Sequence, residues 1–331
     1  MVTLEAQCIT LHIPVQVIMD VRLMPVFHSS SEPWTGRSDP EDGPLAKRVF
    51  EFVSKSGSRA VIGFASEAGV ARNKGRTGAK EGPAALRKSL GGLAAPHGFA
   101  SFVDLGDVVV DGDDLEAGQK QLGEHIDRAL ETYDRVMVFG GGHDTAYGSY
   151  LGLSTHFPDK KIGIINLDAH LDLRNIGAAG PSSGTPFNQI RQSAPEAFDY
   201  LCIGVARESN TQALLARAKE WGVEIVFDDA LLRDADGGRE PIISMAQRCD
   251  IIYLTIDIDL MPHFQAPGVS APAARGVPFA TVEHLVDTVQ QACTENDCAL
   301  PLVDLVELSP IHDINGMTAK TAAVLALSLM T

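Results

Sequence analysis

KKIGIINLDAHLD, residues 160–172, decides how this chain folds. Ile162-Gly163-Ile164-Ile165 is a run of β-branched and small apolar residues, which reads as a strand buried on both faces. The run ends in Asp168-Ala169-His170-Leu171-Asp172. In an extended chain, residues two apart point the same way, so Asp168, His170 and Asp172 are expected to converge just past the strand's end. Two carboxylates and an imidazole crowded together repel and desolvate one another. A divalent cation is the simplest partner that makes such a cluster favourable.

Two further stretches have the same form. Arg135 to Phe139 reads as a strand running into Gly140-Gly141-Gly142-His143-Asp144. Ile251 to Ile256 reads as a strand ending in Asp257-Ile258-Asp259. A lone histidine on a tight turn, or a lone pair of aspartates, is common and carries little weight. Together the three stretches place His143, Asp168, His170, Asp172, Asp257 and Asp259 at strand ends. Mixed oxygen and nitrogen donors suit Mn²⁺ or another divalent first-row metal, and the lack of cysteine donors argues against structural zinc. That many carboxylates favours two ions with bridging aspartates, and a two-metal site supplies hydroxide near neutral pH. The chemistry indicated is hydrolysis.

Working outward, strands are expected at 58–64, 102–105, 108–110, 200–204, 223–227 and 299–307. Helices are expected at 44–56, 83–90, 115–132, 145–157, 210–221, 242–248, 281–294 and 318–330. Residues 30–45, 65–82, 175–187 and 260–278 read as loops rich in Gly, Pro, Ser or basic residues. Strands and helices alternate, with the polar chemistry after strand C-termini. This is the pattern of a doubly wound α/β sheet with its ligands beyond the carboxyl edge. No composition break divides residues 31–331, which read as one catalytic domain. Residues 1–30 are an extension whose role the sequence does not explain.

The chain has 331 residues and a formal net charge of -16, which argues against a general nucleic-acid binder. No apolar stretch reaches transmembrane length, so no membrane partner is expected. The first residues carry Glu5, Asp20 and Arg22 with no basic leader, unlike a signal peptide. Five cysteines, odd in number and without a CxxC, point to reduced thiols and a cytoplasmic protein.

GGGHD (140–144), NLDAHLD (166–172) and TIDIDLMP (255–262) resemble, in combination and order, the three metal-binding motifs of the ureohydrolase family of arginases, agmatinases and formimidoylglutamases. The resemblance runs from about residue 32 to the C-terminus. It implies a three-layer α/β/α sandwich with a mostly parallel central sheet and a binuclear manganese centre. By motif, His143, Asp168, Asp172 and Asp257 would hold one ion, and Asp168, His170, Asp257 and Asp259 the other, with Asp168 and Asp257 bridging. Family members commonly form trimers or hexamers, so a homo-oligomer is expected.

Further stretches are similar to the formimidoylglutamase branch: WTGRSDPEDGPLAKR (34–48), GFASEAGVARNKGRTGAKEGPAALR (63–87), DLR (172–174), PSSGTPFNQI (181–190), APGVSAPAARGVP (266–278) and VELSPIHD (306–313). Those enzymes cleave N-formimidoyl-L-glutamate to L-glutamate and formamide in histidine degradation. The expected chemistry is attack of a metal-bridging hydroxide on the formimidoyl carbon. Asp172 would align the hydroxide and carry a proton, and Glu307 would match a family position that pairs with the cationic group of the substrate. The substrate has two carboxylates, and Arg72, Arg76 and, less strongly, Lys74 form a basic cluster in an acidic chain; Arg174 is a further candidate. Arginases carry a histidine in the loop after the second motif. Here Phe187 stands at that spot, which argues against arginase and leaves proton delivery to Asp172 or water. The alternatives are a related amidinohydrolase, such as an agmatinase or guanidinobutyrase, and a catalytically silent metal-binding protein.

Overall fold

The computed structural model describes residues 26–28 and 34–331. In chain order the first elements are β1 (Val26–His28), β2 (Val53–Ser54), β3 (Arg59–Ala65), α1 (Ala68–Arg72), α2 (Gly82–Gly91) and β4 (Phe102–Val109). Then follow α3 (Leu115–Leu130), β5 (Arg135–Phe139), α4 (Thr145–His156), β6 (Ile162–Leu167), α5 (Pro186–Ser193) and β7 (Asp199–Val205). The last third holds α6 (Gln212–Glu220), β8 (Glu224–Phe227), α7 (Asp228–Leu231), α8 (Arg239–Arg248), β9 (Ile251–Asp257), α9 (Phe279–Glu295), β10 (Ala299–Val306) and α10 (Met317–Leu329).

These strands form one sheet in the order β1-β4-β3-β5-β10-β9-β6-β7-β8, with β2 paired to the end of β4. Every pairing is parallel except β1 with β4. The mostly parallel α/β/α sandwich anticipated from the sequence is the architecture observed. Because β5, β10, β9 and β6 are adjacent and parallel, their C-terminal ends open on one edge side by side.

The apolar runs explain the layers. All six residues of β6 and all seven of β9 are buried. Side chains alternate between the two faces. Ile165, Leu254, Ile256, Val303 and Leu305 pack in one core with α2, α8, α9 and α10. Ile162, Ile164, Tyr253 and Leu302 pack in the other with α3, α4 and α6. Burying each large aliphatic side chain contributes roughly 1.5–3 kcal/mol before chain entropy is counted.

Several local expectations are corrected. Residues 44–56 do not form the helix expected there: a 3₁₀ turn covers Val49–Phe52 and leads into β2. The two short strands expected at 102–105 and 108–110 are one continuous β4, whose pairing with β3 shifts register between Val61 and Gly63. The basic segment read as loop contains α1, and residues 186–193 form α5. Within residues 1–30, β1 pairs antiparallel with β4, Val26 facing Val109. The rest of that extension lies outside the described residues.

Candidate metal centre

His143 follows β5, Asp168, His170 and Asp172 follow β6, and Asp257 and Asp259 stand at the end of β9. The structure brings all six together. His143 Nδ1 lies 3.2 Å from Asp168 Oδ2 and 3.1 Å from both Asp172 Oδ2 and Asp257 Oδ2. His170 Nδ1 lies 3.5 Å from Asp168 Oδ1 and 3.1 Å from Asp259 Oδ2. Two ligand-competent groups result, His143-Asp168-Asp172-Asp257 and Asp168-His170-Asp259, each with its donor atoms within 4.8 Å of one another. Asp168 belongs to both groups.

The reason for the convergence differs from the one expected. Beyond Leu167 the chain is no longer extended, and Asp172 takes a left-handed φ of 46°. Asp168 Oδ1 accepts a 2.7 Å hydrogen bond from the His170 backbone N–H. Asp257 Oδ1 accepts one of 2.8 Å from Asp259 N–H. In both motifs the first aspartate folds the turn that presents its partner two residues on, which is the local side-chain-to-backbone bonding that aspartate favours. The glycines before His143 serve close approach. A Cβ on Gly141 would lie 1.9 Å from the Ser66 carbonyl oxygen, so the turn needs glycine there.

Neighbours hold the ligands in place. His143 Nε2 lies 3.1 Å from Thr255 Oγ1, and Asn166 Nδ2 donates to Asp168 Oδ2 at 3.0 Å. Phe187, on the spot where the resemblance puts an arginase histidine, is fully buried. It stacks on Tyr200 with centroids 4.3 Å apart and meets the His143 ring edge-on at 5.4 Å. With a metal ion on Nδ1, Nε2 would carry the proton and donate to Thr255, a partner that would set tautomer and ring orientation. Thr255→Val is therefore expected to weaken Mn²⁺ affinity about 10- to 100-fold, and Thr255→Ser to restore it, as read by calorimetric titration.

The electrostatics fit cations. Burial, then repulsion from Asp259 and Asp168, holds the Asp257 carboxyl well above the usual carboxylate range. Burial likewise raises Asp172, and pushes Asp259 up to about 6 despite the neighbouring His170. Burial alone would lower both imidazoles, but the carboxylates around them outweigh it and hold them well above the ordinary histidine range. Asp168 moves the other way: the imidazoles of His143 and His170 beside it overcome burial and lower it. The buried His143 Nδ1 and Asp259 Oδ1 have no hydrogen-bond partner among the described residues. Buried nitrogen and oxygen lone pairs left without a hydrogen bond inside a carboxylate-imidazole cluster fit a divalent metal.

A pH dependence follows with a definite sign. Asp259, the raised carboxyls and the imidazoles hold protons in the metal-free protein that a cation must displace. Mn²⁺ affinity is expected to rise with pH through about 6, with roughly one or more protons released per binding event. Calorimetry in buffers of different ionisation enthalpy measures that release, and a pH-independent affinity contradicts it.

A cavity of about 320 Å³ opens over the cluster, lined by Asn73, Arg76, His170, Asp172, Arg174, Asp257, Asp259 and Glu307, among others. Glu307, at the end of β10, is buried with a left-handed φ of 66°. Its Oε1 accepts a 2.9 Å hydrogen bond from His143 N–H, while Oε2 has no partner among the described residues. Arg76 lines the cavity and donates from Nε to the Ser270 carbonyl at 3.0 Å. Lys74 lines it from a left-handed backbone, φ 61°. Arg174 is exposed on its rim, and its guanidinium makes no hydrogen bond or ion pair among the described residues.

Arg72, expected on the substrate, does not line this cavity. Its donors go to Asp113 Oδ1 at 2.6 Å, Glu116 at 3.0 Å and the Pro181 carbonyl at 3.1 Å. The reason is placement: Arg72 ends α1 and faces the start of α3, where those acids sit. Sequence reasoning missed Asn73, Ser183 and Asn210 as lining residues, because single amides and hydroxyls in loops carry no spacing signal. It also gave no role to Asp144, which is fully buried with neither carboxylate oxygen hydrogen-bonded among the described residues. Burial pushes that carboxyl up to about 7.

The model of the arginase family matches residues 58–331. Curated relatives include the formimidoylglutamase of Citrobacter koseri, 44% identical over 302 residues, covering 88% of this chain and 93% of the relative. The formimidoylglutamase of Chromobacterium violaceum is also 44% identical, over 308 residues, covering 89% and 96%. Among solved structures, Bacillus subtilis formimidoylglutamase superposes with a TM-score of 0.78 at 20% identity, covering 90% of this chain and 94% of that one. Trypanosoma cruzi formiminoglutamase, determined with Mn²⁺, superposes with a TM-score of 0.75 at 22% identity, covering 86% and 97%. At those identities the structural likeness speaks for the fold. With a family match over most of its length and relatives at 44% identity, this chain belongs to the arginase family.

Proposed function

We propose that this protein hydrolyses N-formimidoyl-L-glutamate to L-glutamate and formamide, using two Mn²⁺ ions. The observation that carries the reading is the pair of ligand groups sharing Asp168, with Glu307 Oε2, which has no partner among the described residues, beside them. The curated relatives bear the formimidoylglutamase name, which supports this substrate over a guanidino compound.

His143, Asp168, Asp172 and Asp257 would hold one ion, and Asp168, His170 and Asp259 the other, with Asp257 as the second bridge. Bound there, divalent cations supply an acidified water near neutral pH and neutralise charge that develops at the reacting carbon. Glu307 Oε2 pairs with the amidine and favours its cationic form, while Oε1 stays anchored on His143 N–H. Asp172 takes a proton of the attacking water and returns it to the amino nitrogen of glutamate as the C–N bond breaks. The balance is one water consumed: its oxygen passes to formamide, and its two protons end on the glutamate nitrogen, which carries the amidinium's positive charge away as an ammonium. Phe187 closes the apolar side of His143 and offers no proton-carrying group. Arg174 and Arg76, with Lys74, are proposed to meet the substrate carboxylates; Arg72 supports the loop beside them from its own acidic partners.

The reading includes a single catalytic domain over residues 31–331, a cytoplasmic setting and a trimer or hexamer, which sedimentation tests. No helix among the described residues is long and apolar enough to cross a membrane. The direct test is hydrolysis by metal-stripped protein with and without Mn²⁺, with arginine, agmatine and guanidinobutyrate alongside. Mn²⁺-dependent glutamate release with the others inert is the expected result. Turnover of a guanidino compound instead would move the substrate assignment and leave the metal chemistry in place.

A further inference from the structure

A second cavity, of about 350 Å³, adjoins the one over the metal cluster and shares Asn73, Arg174 and Leu214 with it. Its lining includes three arginines, Arg72, Arg174 and Arg217, with Ser182 and Thr211 and no acidic side chain. That is unusual in a chain of net charge -16. The arginines come from three separate segments: the end of α1, the loop after β6, and α6. Glu116, close to Gly180 on the rim, is already paired with Arg72, which leaves Arg174 and Arg217 as the cations available to a ligand. Arg217 is half-buried and held in place: one Nη donates to the Leu173 carbonyl, and its guanidinium carbon lies 5.6 Å from the Trp221 ring centroid. Its remaining donors make no hydrogen bond among the described residues. Arg174 stands between the two cavities, packed along Gly184.

We propose that this second cavity is a carboxylate-binding vestibule, in which Arg217 and Arg174 hold the anionic end of the substrate while its amidine end reaches the metal cluster. This rests on the functional reading above and adds Arg217, which nothing else assigns. The physical basis is a planar, pre-oriented guanidinium fork beside a second one, in a partly enclosed space, which suits a carboxylate better than a mobile ammonium would. A local basic mouth on an acidic protein also draws the carboxylate end of the substrate inward against the overall field.

The test compares wild type, Arg217→Gln and Arg217→Lys, each loaded with Mn²⁺ and checked for metal content and melting temperature. Two substrates are used: N-formimidoyl-L-glutamate, and N-formimidoyl-L-norvaline, which has a methyl in place of the side-chain carboxylate. Arg217→Gln is expected to raise KM for the glutamate compound about 10-fold or more, with a much smaller change in kcat. The effect on the norvaline compound is expected to be at least several-fold weaker. Arg217→Lys recovers part of the loss, because the charge survives without the fork. An unchanged KM, or an equal rise for both substrates, overturns the vestibule. L-Glutamate titrated calorimetrically into the same three proteins separates the two ideas. If wild type hydrolyses neither formimidoyl compound but binds glutamate in an Arg217-dependent way, the vestibule stands and the activity assignment falls. Arg217-independent glutamate binding counts against the vestibule whatever the activity.

Discussion

Asp168→Ala is expected to release metal and lower kcat by about 10⁴ or more, because it removes the one carboxylate shared by both ligand groups. Asp168 faces His143 Nδ1 at 3.2 Å through Oδ2 and His170 Nδ1 at 3.5 Å through Oδ1. Deleting His143, Asp172, His170 or Asp259 leaves one of the two groups untouched. Deleting this one opens both, and it also removes the acceptor for His170 N–H that folds the turn. Because alanine also removes one of the two oxygen acceptors of the Asn166 amide, leaving it Tyr200 Oη at 2.9 Å, Asp168→Asn is the companion variant that keeps the shape and loses the charge. Both variants are expected to bind less than one ion per subunit by elemental analysis. Both should lose the thermal stabilisation that saturating Mn²⁺ confers on the wild type by mass action. Either variant retaining two ions and normal turnover would sink the metal assignment.

Glu307→Gln tests a different step, with an expected fall in kcat/KM of about 10²–10³, which is roughly 2.7–4 kcal/mol of transition-state stabilisation. Glutamine keeps the size of the side chain and an oxygen able to accept from His143 N–H, so metal content and melting temperature should hold. What is lost is the negative charge opposite the amidine. Burial and the Asp257 charge hold the Glu307 carboxyl well above the usual carboxylate range in the empty site. A cationic substrate or bound metal reverses that balance by favouring the ionised form. Activity within a few-fold of wild type would remove Glu307 from the reaction, and a parallel loss of metal would make it a residue of site assembly instead.

Much of this site was legible because its signals are local. A six-residue apolar run that ends in Asp-x-His-x-Asp announces both a buried strand and a charged cluster at its end. The same form recurs at Asp257-x-Asp259. What local reading misjudged was the geometry beyond each strand. Asp172 reaches the cluster through a left-handed turn, and the two-residue spacings reflect aspartates accepting from backbone amides rather than side chains alternating along an extended chain. Charge patterning misled in one place: Arg72 looked like part of a substrate cluster with Arg76, yet its acids come from the turn before α3 and from its first residues, 41 and 44 residues further on.

The sequence by itself determined the alternation of strands and helices, the doubly wound α/β pattern and the six carboxylates and imidazoles of the cluster, since each follows from hydrophobic period and side-chain chemistry within a short window. Only the tertiary structure decided which ends meet. His143 and Asp168 follow strands separated in the sheet by β10 and β9, and no local pattern encodes that order. The same holds for Glu307, which lies 164 residues from the His143 amide it binds. It holds too for the arginine-lined cavity, whose cations come from three segments that only the packed fold brings together. Long-range packing of parallel strands, paid for by burial of their apolar faces, sets these distances, and single residues in loops carry no trace of it.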